Sequence, residues 1–236
     1  MAARDWAAAQ AVARRPAAAE STAGKVLLRY ESPGAWLTDL RDSGVLVGLT
    51  PTASPLPLDV RALLVDAGQA AWFDVETGQW PNEHEGLLTK LAALAPGGLG
   101  DVAFGEAAPP VEGMRAKHPS PAGSYQLFAW MDGHRFAVRA EDLGDWYDLP
   151  AVLGLLNGLA RQRNVDTSWV TLATGGQDVV VVALTARGLG AARTQGWLTP
   201  GEANDAVKAG KGAEEQVFQQ LSKDGADVKR DVVIPN

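Results

Sequence analysis

The chain contains no cysteine. Disulfides, thiolate metal sites and cysteine nucleophiles are therefore excluded, and the usage fits a reducing compartment. Histidine is nearly as scarce, with only His84, His118 and His134. No two of them stand at the spacing of helical metal motifs, so each reads as an ordinary surface residue. No apolar run approaches the roughly 20 residues needed to span a bilayer. The Ala-rich start carries Arg4, Arg14 and Arg15 but no compact apolar segment before a cleavage site. The expected location is accordingly the cytoplasm. Positive charge is also short, with 21 Lys and Arg against 28 Asp and Glu, a net charge of -7 and a pI near 5.0. That balance argues against a nucleic-acid partner, which demands a basic face, and against an anionic membrane surface.

What remains is ample for a core. The 236 residues are 46% hydrophobic and 21% charged, enough for one large domain or two small ones.

Tyr125 to Gly196 states its architecture most plainly. Tyr125–Met131 is a β-rich run, Asp132-Gly133 follows, and His134–Ala140 alternates polar with apolar. Asp-Gly between two such runs predicts a type I′ hairpin, with positive φ at both central residues. Asp148-Leu149-Pro150 opens a helix, with an acid at its positive end and proline in the first turn. Val152, Leu153, Leu156 and Leu159 form its apolar stripe. Ser168–Thr174 and Asp178–Thr185 make a second hairpin around Gly175-Gly176-Gln177. The unbroken run Val179–Val182 predicts a strand covered on both faces.

Earlier in the chain, residues 3–15 read as a helix with Trp6, Ala9 and Ala13 on one face, ended by Pro16. Lys25–Glu31 and Val45–Leu49 read as strands, Ala35–Asp42 as a short helix, and Thr50–Asp59 as a proline-rich loop. Arg61–Ala67 and Ala70–Thr77 read as strands turning at Gly68-Gln69. Asn82 to Glu85 has the form of a capping box before a helix striped by Leu87, Leu88, Leu91 and Leu94. A strand is expected at Asp101–Phe104. The leucine stripe falls on the later one at constant offset, and Trp80 precedes its helix much as Trp146 does. This predicts an internal repeat of two similar ββαβ units, separated by the Pro/Gly-rich linker 107–124. Thr199-Pro200-Gly201-Glu202 is expected to cap a helix broken at Gly210 and Gly212, followed by a helix at Glu214–Ser222 and a strand at Val228–Ile234.

The expected fold class is α+β: antiparallel sheets with helices on one face, built from two similar ββαβ units. The expected divisions are residues 1–24 (N-terminal helix and linker), 25–106 (first unit), 107–124 (linker) and 125–236 (second unit with C-terminal helices).

Chemistry is thinly signalled. No G-x-S-x-G elbow, Walker A loop or H-E-x-x-H occurs. Gly188-Leu189-Gly190 follows a strong strand, but Arg193 replaces the third glycine of a dinucleotide fingerprint and the strand is hairpin-paired. Asp74 and Glu76 share a strand face, the pattern of a solvated face before that of an acid–base pair. Glu141–Asp148 is the densest charged cluster and lacks calcium-loop spacing, so its acids should cap a helix while Trp146 and Tyr147 pack beside it. No catalytic, cofactor-binding or metal-ligating residue is expected, and no cofactor.

The eight tryptophans fit core packing, with recognition as the rival use. The helix–hairpin order resembles small α+β domains used in protein association, including secretion-chaperone-like adaptors. The expectation is a non-enzymatic interaction or adaptor protein that forms a dimer or binds a protein partner. Its candidate surface is Trp6, Trp146, Tyr147, Val217, Phe218 and Leu221. The alternative is a small-molecule-binding sensor or small enzyme with a pocket between the halves.

Overall fold

A computed structural model describes residues 29–47, 59–79, 81–95, 98–107 and 124–223, with side chains through 220. The element order is α1 (Pro33–Asp42), α2 (Val60–Asp66), β1 (Ala70–Asp74), α3 (His84–Ala92), β2 (Ala103–Ala107), β3 (Ser124–Met131), β4 (His134–Glu141), α4 (Leu149–Gln162), β5 (Ser168–Leu172), β6 (Asp178–Leu184), α5 (Ala186–Gln195) and α6 (Asp205–Lys223). The class is α+β, with two three-stranded antiparallel sheets ordered β1-β6-β5 and β2-β3-β4.

Local chemistry explains most starts and stops. Ser32, Asp59, Asp148 and Thr185 each accept a backbone N–H in the first turn of the helix they precede, satisfying a donor that would otherwise be orphaned. Asp132 and Gly133 both take positive φ, 53° and 77°, and Met131 pairs with His134 across them. This is the expected type I′ turn.

The layers follow from which faces are apolar. α4 buries Leu149, Ala151, Val152, Leu153, Leu155, Leu156, Leu159 and Ala160, nearly its whole circumference, because it lies with α3 between the two sheets. The inner face of β2-β3-β4 adds Phe104, Tyr125, Leu127, Ala129 and Met131 to this core. β6 contributes Val179, Val181 and Ala183 to the same core. Its alternate residues Val180, Val182 and Leu184 join a second core with Trp36, Leu40, Leu63, Leu64 and Trp197. The run 179–182 is thus buried on both faces, as its lack of alternation predicts.

Several sequence expectations fail, each for a physical reason. Arg61–Ala67 is not a strand: Val60–Asp66 is helix α2, capped by Asp59. Gly68-Gln69 therefore joins a helix to β1, and β1 pairs with β6 rather than with an upstream neighbour. The hairpin expected there is absent, so the element order does not confirm the repeat. Both sheets instead draw strands from either side of residues 107–124, with β1 on β6 and β2 on β3. The 101–104 strand is shifted to Ala103–Ala107.

Asn82 does not cap α3. Glu83 holds the cap position without a side-chain bond, and the Asn82 amide is spent elsewhere. Residues 199–202 do not open a helix either. α6 begins at Asp205 and runs unbroken through Gly210 and Gly212. Gly210 survives inside it because a Cβ there would stand 2.2 Å from Trp146 Cη2; it is a contact site, not a stop. Val45 to Val47 form no strand. The helix at 3–15, residues 107–123 beyond Ala107, and the strand at 228–234 lie outside the described residues, as do Trp80 and His118. Among the described residues no helix is long and apolar enough to cross a membrane.

Candidate functional site

The segment before α4 hooks onto the end of β1 and organises the most polar part of the interior. Thr77 N–H donates to Asp145 O (2.7 Å) and Tyr147 N–H to Val75 O (3.0 Å), around a bridge between Glu76 and Trp146. Asn82, fully buried, locks this hook. Its Nδ2 donates to Gly144 O (2.7 Å) and Trp146 O (3.0 Å), and its backbone N–H donates to Tyr125 Oη (3.0 Å).

His84 sits in the same cluster and is not a surface residue. It is 0% exposed, packed against Tyr125 and Tyr147 with ring centroids 4.7 and 5.3 Å away. Its Nε2 accepts Asp148 N–H at 3.3 Å, which places the imidazole proton on Nδ1. Nδ1 lies 3.3 Å from Glu106 Oε2 but makes no hydrogen bond. That oxygen is instead engaged by His84 N–H at 2.8 Å. The pair is thus near in space and poorly directed, and the geometry rather than the distance decides its weight. Asp148 is committed as well, accepting Ala151 N–H and Glu141 N–H. Burial pushes the Tyr125 phenol up to about 12, and burial followed by Glu83 and Glu106 raises Tyr147.

Tyr147 faces a surface hollow of about 340 Å³, walled also by Phe73, Asp74, Thr77, Glu83 and Lys90. The Phe73 and Tyr147 rings meet edge-on at 6.4 Å, and Lys90 Nζ stands 5.5 Å over Phe73. His84 is behind Tyr147 and does not line the hollow. Two carboxylates, one ammonium and two rings can hold a small charged molecule, but they supply no nucleophile with an adjacent base. Asp74 and Glu76 do meet through a shared donor, Gln177 Nε2, at 2.7 and 3.4 Å. Burial, then Asp145, Glu214 and Asp74, raises the Glu76 carboxyl. Among the described residues no group of three or more His, Asp or Glu side chains could hold a metal ion.

A second candidate is the outer face of β2-β3-β4, which sequence reasoning did not single out. Phe128 and Trp130 project from β3 on this face, with ring centroids 5.1 Å apart. Both lie over Gly105, where an added Cβ would stand 2.7 Å from Phe128 Cε2. Arg135, opposite Trp130 in the register, stacks its guanidinium 4.4 Å over Phe128. Ala137 and Arg139, both exposed, continue the face along β4. Trp130 is 45% exposed. The signal was present in the sequence, since Phe128 and Trp130 alternate with the core-facing Leu127, Ala129 and Met131.

Of the residues expected to form an interaction surface, those described are scattered. Trp146 is buried beneath Gly210 of α6 and belongs to the core. This corrects its candidacy and fits the packing role its position before α4 implies. Tyr147 is half-buried in the hollow. Val217 is 60% exposed on α6, Phe218 is half-buried beside it, and Trp6 and the Leu221 side chain lie outside the description. His134 is exposed at the start of β4, as expected. Gly188 serves packing: a Cβ there would stand 2.3 Å from Gly44 O, so α5 meets the α1 terminus at that glycine.

No protein-family model, curated protein or solved structure matches this chain.

Proposed function

We propose that this is a non-enzymatic interaction protein of the adaptor kind, which self-associates. The observation that supports it is the Phe128–Trp130–Arg135 group on the outer face of β2-β3-β4. Aromatic rings and arginine are the side chains that concentrate binding energy at protein interfaces. A net charge of -7 favours a protein partner over nucleic acid, and the lack of cysteine suits a cytoplasmic setting.

Sedimentation velocity over a concentration series tests the reading. The wild type should show a reversible dimer, and Trp130→Ala should shift it toward monomer. Trp72→Ala is the control, because Trp72 is equally exposed at 45% but, among the described residues, has only Arg61 stacked near it. A chain that is monomeric throughout would defeat the proposal.

The hollow beside Tyr147 favours a second reading, a small-molecule sensor, since residues from both sides of 107–124 line it: β1 and α3 from before, and Tyr147 of the loop ahead of α4 from after. Thermal-shift measurements with small organic cations and carboxylates would support it if Tyr147→Ala abolished a shift seen in the wild type.

A further inference from the structure

Among the described residues the two sheets leave four outer strands, and these are not equally closed. Beside β5, Asn157 takes the main chain of Trp169, while Ala173 N–H donates to Thr199 O and Gly201 N–H to Thr171 O. The chain leaving β1 is bridged through Glu76 to Trp146, and β2 has only five residues. β4 has eight, and its outer edge is open. Met131 pairs with His134 across a two-residue turn, so His134, Phe136, Val138 and Ala140 spend their backbone groups on β3. Those of Arg135, Ala137 and Arg139 point the other way, and among the described residues nothing bonds them. Glu141 ends the edge, its N–H already donated to Asp148 Oδ2 at 2.7 Å.

We infer that two copies of this chain join edge to edge through β4, antiparallel about a two-fold axis at Val138, forming one six-stranded sheet. The inference rests on the self-association reading and names its surface. Charge selects both the occupant and the register. With the axis at Val138, Arg135 of each copy stands opposite Glu141 of the other, and these side chains share one face of the sheet. An axis at Ala137 would set Arg135 against Arg139, and one at Arg139 would set that residue against itself. Like charges directly opposite are destabilising, so the arginines specify the pairing. Axes further along the strand shorten the overlap. The backbone agrees, since Ala137 and Arg139 stand opposite each other across the axis and both point their free groups outward. The half-buried Val138 meets its own copy, an apolar pair at the centre. The two-fold makes the contact self-complementary and closed, so β4 offers no edge to a third copy. The joined sheet carries both Phe128–Trp130 groups on one continuous face.

Charge reversal in the full-length chain tests this by sedimentation velocity. Arg135→Glu and Glu141→Arg should each weaken dimerisation about tenfold or more, because each sets like charges opposite one another twice. The two changes together should restore it. Circular dichroism identifies a variant that fails to fold, and a single thiol then decides. The chain lacks cysteine, so Val138→Cys introduces a lone thiol that cannot close within one chain. At the axis its Cα faces that of the second copy at roughly 4.5 Å, inside the range a disulfide spans. Oxidation should therefore link the dimer. Ala137→Cys lies off the axis and should not link. A wild-type dimer that withstands both reversals, and in which Val138→Cys gives no link, overturns the inference while leaving self-association intact. Linking through Ala137→Cys in place of Val138→Cys would also overturn it, because the axis would lie elsewhere. A wild type that stays monomeric sinks both.

Discussion

Asn157 of α4 grips the main chain of Trp169 with both ends of its amide. Trp169 N–H donates to Asn157 Oδ1 at 2.9 Å, and Asn157 Nδ2 donates to Trp169 O at 3.0 Å. β5 is an edge strand, and a side chain here supplies what a neighbouring strand would otherwise provide. The indole of the same residue donates to Leu91 O at 2.7 Å, so Trp169 ties the first sheet to both interior helices. Asn157→Leu leaves two backbone groups without partners. It should cost about 2–4 kcal/mol, read as a lowered urea midpoint.

The two glycines of α6 should respond in opposite directions. Gly210→Ala drives a methyl group into Trp146 and should destabilise the protein and detach the start of the helix. Gly212→Ala meets nothing within 4 Å and should stabilise by up to about 1 kcal/mol through helix propensity. Thermal denaturation of the two variants side by side checks the contrast.

At the β3–β4 turn, Gly133→Val forces a branched side chain to positive φ. A loss of about 1–3 kcal/mol is expected. An unchanged denaturation midpoint would contradict the turn geometry.

Replacing His84 tests its buried role. His84→Ala removes the acceptor of Asp148 N–H and a ring packed between two tyrosines. A loss of roughly 2–4 kcal/mol should follow, whereas His134→Gln, on the exposed turn, should leave the midpoint unchanged.

Alkaline titration reports Tyr30 and Tyr125, whose phenols are both pushed up to about 12, chiefly by burial. Below pH 10 both are protonated in either state, so their contribution is fully present. Between about pH 10 and 12 the unfolded chain releases protons that the folded chain keeps, and stability falls as pH rises. Phenolate absorbance should lag in the native protein and jump on unfolding.

The β3–β4 hairpin, α4 and the β5–β6 hairpin were legible because turn chemistry, capping and periodicity act within a few residues. α2 was misread although Asp59 signals an N-cap, because Leu63-Leu64-Val65 fits a short strand as well as one helical turn. The roles of Asn82, His84 and Gly210 were hidden for a different reason. Each is set by a partner more than 40 positions away: Tyr125, Asp148 and Trp146. The aromatic sheet face fell between these cases. Its alternation was visible, but only the cross-strand register brings Arg135 onto Phe128.

β6 belongs to both cores and, among the described residues, is the only strand that β1 pairs with. A polypeptide ending near residue 107 would therefore carry β1 and β2 with neither partner, and one beginning near 124 would expose the surfaces they cover. Neither piece has a complete sheet system of its own. Each, however, displays the missing half's template. Separately expressed halves should stay unstructured alone and assemble on mixing, a built-in route to a split reporter whose reconstitution signals that two fused proteins have met.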